Sequence, residues 1–372
     1  MIDPERVKEA KAFARKAWVM SRGHHNVLFF SGGFLFDAVT LDRIDAWLDL
    51  GLQALYLSLA AALLWLQGRF ERGEWKPTGL LERAWPYERE LLHFLFGGLL
   101  SAYVIFYSRS GVGARSFLFF AVIGGILFSN ELSDERDWEH PVRTGVFAFC
   151  LASFSTYFIP VMLGRIGDGV FGIAMGISTL VFALLIAILV WPGKPEERWK
   201  RALHSGWVGA LALVFVTALY LLRWIPPVPL ALQYAGIYHG VKRTKGEYEL
   251  KYERRSRWDI FRRQDKPFHY RPGDRLYCFV RIFAPARFSH EILLNWLTKD
   301  SEGKWVSRDR IPLPIKGGRD AGYRGFAYKA RFQPGDWRID IETQDGRVVG
   351  RTEVTVVAEK SKSKRDWRTD RM

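Results

Sequence analysis

The sequence predicts two parts in series: a polytopic α-helical membrane bundle and, after it, an all-β antiparallel sandwich. Three observations carry this. Six apolar runs lie between residues 47 and 224, separated by short charged loops. From Glu247 onward the apolar pattern changes to alternation with period two. The formal net charge of +15 is also uneven: residues 1–225 hold 22 Lys and Arg against 20 Asp and Glu, and residues 226–372 hold 32 against 19. The excess positive charge therefore belongs to the β part, which points to an anionic partner surface there.

Residues 1–25 form a basic segment with Arg6, Lys8, Lys11, Arg15, Lys16 and Arg22. It is too long and too charged for the n-region of a signal peptide, and no small-residue cleavage site follows the next apolar run. It is expected to stay attached, in the cytosol.

Residues 26–226 are the predicted helical bundle. The apolar runs are Trp47–Leu66, Leu91–Tyr107, Ser116–Phe128, Gly145–Leu163, Gly169–Trp191 and Gly206–Trp224. Several reach the roughly 20 residues that a helix rising 1.5 Å per residue needs to cross hydrocarbon. None alternates as a membrane barrel strand would, so helices are the spanning elements. A seventh, Asn26–Leu41, is shorter and ends among acids. The distribution of positive charge tests it. If it crosses, one side of the membrane holds 17 Lys and Arg and the other 4; if it does not, the sides hold 10 and 11. The expectation is seven helices, or six if the first is re-entrant, with the N-terminus cytosolic and the C-terminal domain on the outer, periplasmic side of a bacterial inner membrane. Gly172 and Gly176 form a GxxxG, and Gly32–Gly33, Gly97–Gly98 and Gly124–Gly125 are further small patches. Ordinary helix packing in lipid accounts for such residues.

Residues 227–246 read as a linker, because the "WIPPVPL" at 224–230 stops the last helix. Residues 247–358 read as the sandwich, with about seven short strands and regular turns. In "WRIDIET", Trp337, Ile339 and Ile341 face one way and Arg338, Asp340 and Glu342 the other. Asp345-Gly346 is a tight hairpin turn. Residues 359–372 are a charged tail expected to be disordered.

The stretches "IPPVPLALQYAGIYHGV", "PIKGGRDAGYRGFAYK" and "PGDWRIDIETQDGRVVGR", with "FLFDAVTLDRIDAWLD" near the front, resemble an uncharacterised family of bacterial inner-membrane proteins. Its members join a multi-helix membrane region to a C-terminal all-β domain of unknown function, of the DUF2914 type. The resemblance implies that architecture and no reaction.

Three groups of residues are candidate sites. Asp37, Asp42, Arg43 and Asp45 close the first apolar stretch. Ionisable groups in a membrane segment point to function by default, so a cation or proton site is one reading. An interfacial helix end whose acids pair with Arg43 is preferred, because Asp37 is shallow. The stretch 251–271 mixes basic and aromatic residues, and Lys251, Arg254, Arg255, Arg257, Trp258, Arg262 and Arg263 form a candidate anionic-surface patch. A solvated basic edge explains it equally. The glycine-rich stretch 317–325 with Arg319, Asp320, Tyr323 and Arg324 is a ligand loop or, as preferred, a strand connection held by its own ion pair.

Two cysteines, Cys150 and Cys278, give no disulfide framework and no zinc spacing. His24–His25, His93 and His204 lack a third ligand at metal spacing. There is no HExxH, GxSxG or Walker loop. No catalytic residue, metal or cofactor is expected. The expected partners are the lipid bilayer, an anionic lipid or envelope polymer, or a protein, and not nucleic acid. The leading function is a non-enzymatic membrane protein whose basic β domain binds an anionic envelope component or partner protein. The rival is a transporter or membrane-embedded enzyme acting on a lipid-linked substrate.

Overall fold

The structure, a computed structural model, describes residues 45–110, 136–191, 194–244, 246–254, 263–285, 288–316, 322–359 and 365–372. The expected first crossing at Asn26–Leu41 and the run Ser116–Phe128 lie outside these residues. The helical elements are α1 (Trp47–Glu71), the short α2 (Leu80–Ala84), α3 (Glu88–Ser110), α4 (Arg136–Leu163), α5 (Asp168–Val190) and α6 (Pro195–Leu221). Five helices among the described residues are long and apolar enough to cross a membrane: α1, the segment Leu80–Tyr107, the segment His140–Leu163, α5 and α6. They match five of the apolar runs. Their ends follow local chemistry: α1 gives way at Arg72 to Gly73, whose φ of 70° a side chain would resist, and Pro77 follows.

The small residues that let helices approach are only partly the expected ones. A Cβ on Gly145 would come within 2.4 Å of the Val208 side chain, and one on Gly209 within 2.1 Å of the Phe182 ring. Gly98 lies against Tyr56. By contrast, Gly172 and Gly176 meet nothing within 4 Å, and their neighbours Ile173, Ile177 and Leu180 are exposed. The GxxxG therefore does not pack within the described chain, which corrects the expectation of ordinary bundle packing there. The spacing was right for close approach, but α5 turns its other face, with Ala174, Ser178 and Phe182, inward.

The β part begins earlier and ends later than expected. Its strands are β1 (Ala231–Tyr238), β2 (Gly240–Thr244), β3 (Glu247–Glu253), β4 (Phe268–Tyr270), β5 (Leu276–Phe283), β6 (Ser289–Lys299), β7 (Trp305–Lys316), β8 (Tyr323–Lys329), β9 (Gly335–Thr343), β10 (Val348–Ala358) and β11 (Trp367–Arg371). Most of the 227–246 linker is thus β1 and β2. The tail expected to be disordered contains β11, which pairs antiparallel with β3. Its charged composition hid a strand whose partner, rather than its own apolar pattern, holds it in place.

Among the described residues three sheets form, in the orders β1-β5-β8, β4-β10-β9-β6-β7 and β11-β3-β2. Every pairing is antiparallel except β4 with β10. One buried core takes Ile237, Cys278, Val280 and Ile282 from the first sheet and Ile292, Leu294, Trp296, Ile339 and Val354 from the second. A smaller cluster of Tyr238, Tyr248, Leu250 and Phe279 joins the first sheet to the third.

The strand β9 shows why alternation alone was not enough. Trp337, Ile339 and Ile341 enter the core as read, yet Asp340 and Glu342 on the other face are buried too. Arg351 donates to Asp340 at 2.7 and 3.2 Å, and Arg338 lies 3.1 Å from it. Asn295 Nδ2 donates to Glu342 Oε1 at 2.9 Å, and the Ser307 hydroxyl donates to Asn295. These side chains bury the acids by folding over them. Burial raises the Glu342 pKa, partly opposed by the Asn295 hydrogen bond.

Candidate ligand cleft and its supports

The concave surface of the β part is assembled from two connections, β4–β5 and β8–β9, and from strands β6 and β7, which a tight turn joins. The β8–β9 connection runs through Ala330–Pro334 and is pinned by the Trp337 indole, which donates to the Gln333 carbonyl at 2.9 Å. Its Phe332 packs edge-on against Phe268 and Tyr270. The β4–β5 connection is closed by Asp274, whose carboxylate accepts from the Arg271 amide at 2.7 Å. In the β6–β7 turn, Asp300 Oδ1 accepts from the amides of Glu302 and Lys304 at 2.9 and 2.8 Å. A side chain hydrogen-bonding its own turn in this way fixes the backbone without a regular ladder.

Between these connections lies a cleft of about 840 Å³. A second hollow of about 360 Å³ adjoins it through Lys299, Asp336 and Trp337, and Trp305 and Lys266 line its far side. Arg271, Lys299, Arg308, Lys329 and Arg331 supply the cations of the larger cleft, against Asp274 and Asp336. Three of the five are occupied: Arg271 by Glu359, Lys299 by Asp336 and Lys329 by Asp309, at 2.8, 2.9 and 2.9 Å. The Lys299 hydrogen bond, then that of Thr355, holds the Asp336 carboxyl below its usual range. Arg308 donates only to the Thr298 hydroxyl, and Arg331 is exposed with no ion pair among the described residues. Trp305 stands between Lys299 and Arg338, 5.3 and 4.9 Å from its ring centre. The arrangement offers two spare guanidinium groups and an aromatic wall, which suits an anionic ligand with an apolar face.

Behind the cleft lies a buried ionic cluster. Arg365 reaches Asp274 at 2.8 Å, Glu359 at 3.2 Å and the His269 carbonyl at 3.0 Å. His239 presents Nδ1 to Asp265 at 2.7 Å and Nε2 to that same carbonyl at 3.0 Å. The segment before β11 thus braces the β4–β5 wall of the cleft, which gives the charged tail a structural role.

The opposite end of β9 meets the helices. The β9–β10 turn carries Arg347, which lies 3.5 Å over the Tyr220 ring of α6 and donates to Asp168 of α5 at 3.4 Å. The Tyr220 hydroxyl donates to the same Asp168 oxygen at 2.9 Å, and Phe171 stacks on the Tyr220 ring at 3.5 Å. Arg223, just after α6, has φ of 59° and packs under Gly346.

The residues proposed from sequence fall elsewhere. Asp37, Asp42 and Arg43 lie outside the described residues, and Asp45 sits in the turn before α1. Of the basic patch, Arg255, Arg257, Trp258 and Arg262 lie outside as well. Lys251 rests 4.1 Å from the Trp367 ring, the Arg254 amide donates to the Asp366 carbonyl, and Arg263 lies 3.8 Å from Asp370. Those three gather beside β11 and none lines the cleft. Arg319 and Asp320 lie outside, Tyr323 packs on the main core, and Arg324 stands opposite Arg281. Sequence reading missed the cleft because its walls come from segments up to 67 residues apart (Tyr270 to Trp337). Trp305 and Trp337, each at a strand start beside Lys or Asp, were its only local sign. Among the described residues no group of three or more His, Cys, Asp or Glu is placed to hold a metal ion.

Fold and site together define a chain with several membrane-length helices and a C-terminal β region bearing a basic cleft. Residues 289–356, from β6 into β10, match the family described as "Protein of unknown function (DUF2914)", so the C-terminal region carries a DUF2914-type domain. No curated protein matches the chain. Among solved structures, an immunoglobulin-like protein from Pseudomonas aeruginosa is 12% identical, with 35% of this chain and 97% of that one covered and a TM-score of 0.21. The alkylpurine DNA glycosylase AlkC of Pseudomonas fluorescens, bound to DNA containing an abasic site analogue, is 10% identical, with 81% and 97% covered and a TM-score of 0.21. At those scores neither assigns a fold or an activity.

Proposed function

We propose that the protein is an integral membrane protein of seven helices. Its DUF2914-type domain is a β-sandwich in the periplasm of a bacterium, and it holds an anionic envelope polymer in the cleft. The protein acts by binding rather than by catalysis. The observation that carries this reading is the pair Arg308 and Arg331, free of ion pairs among the described residues, in a cleft also lined by Phe332 and Trp337. The shared core of the first two sheets supports the sandwich, and the 17-to-4 split of positive charge supports the orientation.

The test is binding of fluorescently labelled polygalacturonate to the full chain in neutral detergent, with neutral dextran and a DNA oligonucleotide as controls. Salt-dependent binding of the acidic polymer is expected, and Arg308→Gln with Arg331→Gln should weaken it about tenfold or more. Binding that ignores salt, or that favours DNA, sinks the proposal. So does binding that survives both substitutions.

A further inference from the structure

A second feature, separate from the cleft, lies on the face of the first sheet turned away from the main core, beside the third sheet. The register sets Tyr234 of β1 beside Arg281 of β5, and Arg281 beside Arg324 of β8. Directly opposed residues of an antiparallel pair share a face, with Cβ atoms about 4.5–5.5 Å apart, and like charges in that position repel. Here two guanidinium groups are opposed. Neither has a carboxylate partner among the described residues, and the Nε of each is buried with no hydrogen-bond acceptor. A stranded, desolvated donor is destabilising, so two side by side require an explanation.

The surroundings supply a third donor. Tyr234 leans along β1 over Gly236, where an added Cβ would come within 2.7 Å of its hydroxyl. That hydroxyl lies 2.5 Å from the Tyr238 hydroxyl. Burial, first of all, raises the Tyr234 pKa, and Arg281 opposes the rise; the phenol keeps its proton and can donate it. The acid that acts on Tyr234 is Asp370, which is shared with Arg263 at 3.8 Å. The Tyr248 hydroxyl donates to the Arg324 carbonyl and holds β3 beside the row.

The row also has a defined place. β1 begins ten residues after α6 ends. Leu232 packs against Gly350, and Arg223 under Gly346. Tyr234 is three residues into β1, about 10 Å along the strand. The row is thus at the end of the β part that carries the joint with α5 and α6.

We propose that Arg281 and Arg324, with the Tyr234 hydroxyl, bind a phosphate group, and that this phosphate belongs to the headgroup of an anionic phospholipid. Two planar guanidinium forks match the oxygens of a phosphate, and the added anion turns their mutual repulsion into shared attraction. The position beside the helix ends selects the lipid as the source.

The test is thermal unfolding of the full chain in neutral detergent at matched ionic strength. The additions are inorganic phosphate, dihexanoyl phosphatidylglycerol or dihexanoyl phosphatidylcholine. The wild type should be stabilised by phosphatidylglycerol well beyond phosphatidylcholine. Arg281→Gln and Arg324→Gln should each need about tenfold more of the lipid for the same shift. Without anion these variants should unfold at the same temperature as the wild type or higher, since they remove a repulsion, and this separates lost binding from lost folding. Arg281→Lys, which keeps the charge but not the fork, should retain part of the response. Equal stabilisation by inorganic phosphate would keep the site and reassign it to a soluble phosphate. A wild type indifferent to both anions, or variants that respond as it does, would overturn the proposal.

Discussion

The two ends of β9 use the same kinds of residue to opposite effect. At the joint, Arg347 is 9% exposed and is enclosed by Tyr220, Asp168 and Asp345. At the cleft, Lys299 and Asp336 are paired but 46% and 43% exposed, and Arg308 and Arg331 stand open. A cation that is covered on all sides spends its interactions on holding elements together. One left at a concave rim keeps them available to a ligand. Residue type does not distinguish the two; burial and the number of partners do.

Substitutions test that contrast. The largest effect is expected from Trp337→Ala, which empties a buried site at the cleft floor and frees the Gln333 carbonyl. A loss of about 3–5 kcal/mol is typical for such a truncation, read as faster hydrogen exchange across β9 and β10. If exchange there stays unchanged, Trp337 does not support the cleft. Next is Arg347→Ala at the joint. Asp168 is 82% exposed, so the ion pair contributes little. Stacking on Tyr220 dominates, for about 1–2 kcal/mol. Exchange should rise in the turn 343–347 and not in the cleft connections. A uniform rise would mean that the joint stabilises the whole β part.

Glu342 gives a smaller, pH-dependent effect. Its folded pKa is raised by burial above the usual carboxylate range. The folded state therefore binds its proton more tightly than the unfolded state does. The stability from this group is full below the unfolded pKa and declines as pH rises through the folded one. Glu342→Gln should unfold at a higher temperature than wild type near neutral pH, and the gap should close at about pH 4. A gap independent of pH would count against the assignment. The smallest effect on stability is expected at Arg308, where Arg308→Gln should stay within about 0.5 kcal/mol, as surface changes do. A loss much larger than that would mean Arg308 braces the fold instead of waiting for a ligand.

How legible these features were depended on how local their causes are. Five helices could be read directly, because about 20 apolar residues in a row have few other uses. The strands β5 to β10 were readable from alternation and from turns such as Asp345-Gly346. β1 and β2 were not, because "ALQYAGIYHGVKRT" sits behind prolines and buries both faces at Ile237 and Tyr238. β11 was not either, since only Trp367 in "WRTDR" looks like a strand residue. The GxxxG was legible as a motif, but its partner was not, because spacing does not say which way a helix is turned.

That long apolar helices precede a basic β region could be read from the chain, since hydropathy and charge are properties of each segment alone. Tertiary structure decided which charges meet. Register placed Arg281 against Arg324, and two distant connections with strands β6 and β7 enclosed the cleft. A turn brought Arg347 onto Tyr220, a residue more than a hundred positions earlier. Pairings of that kind depend on distances through space, and no local pattern in the chain encodes them.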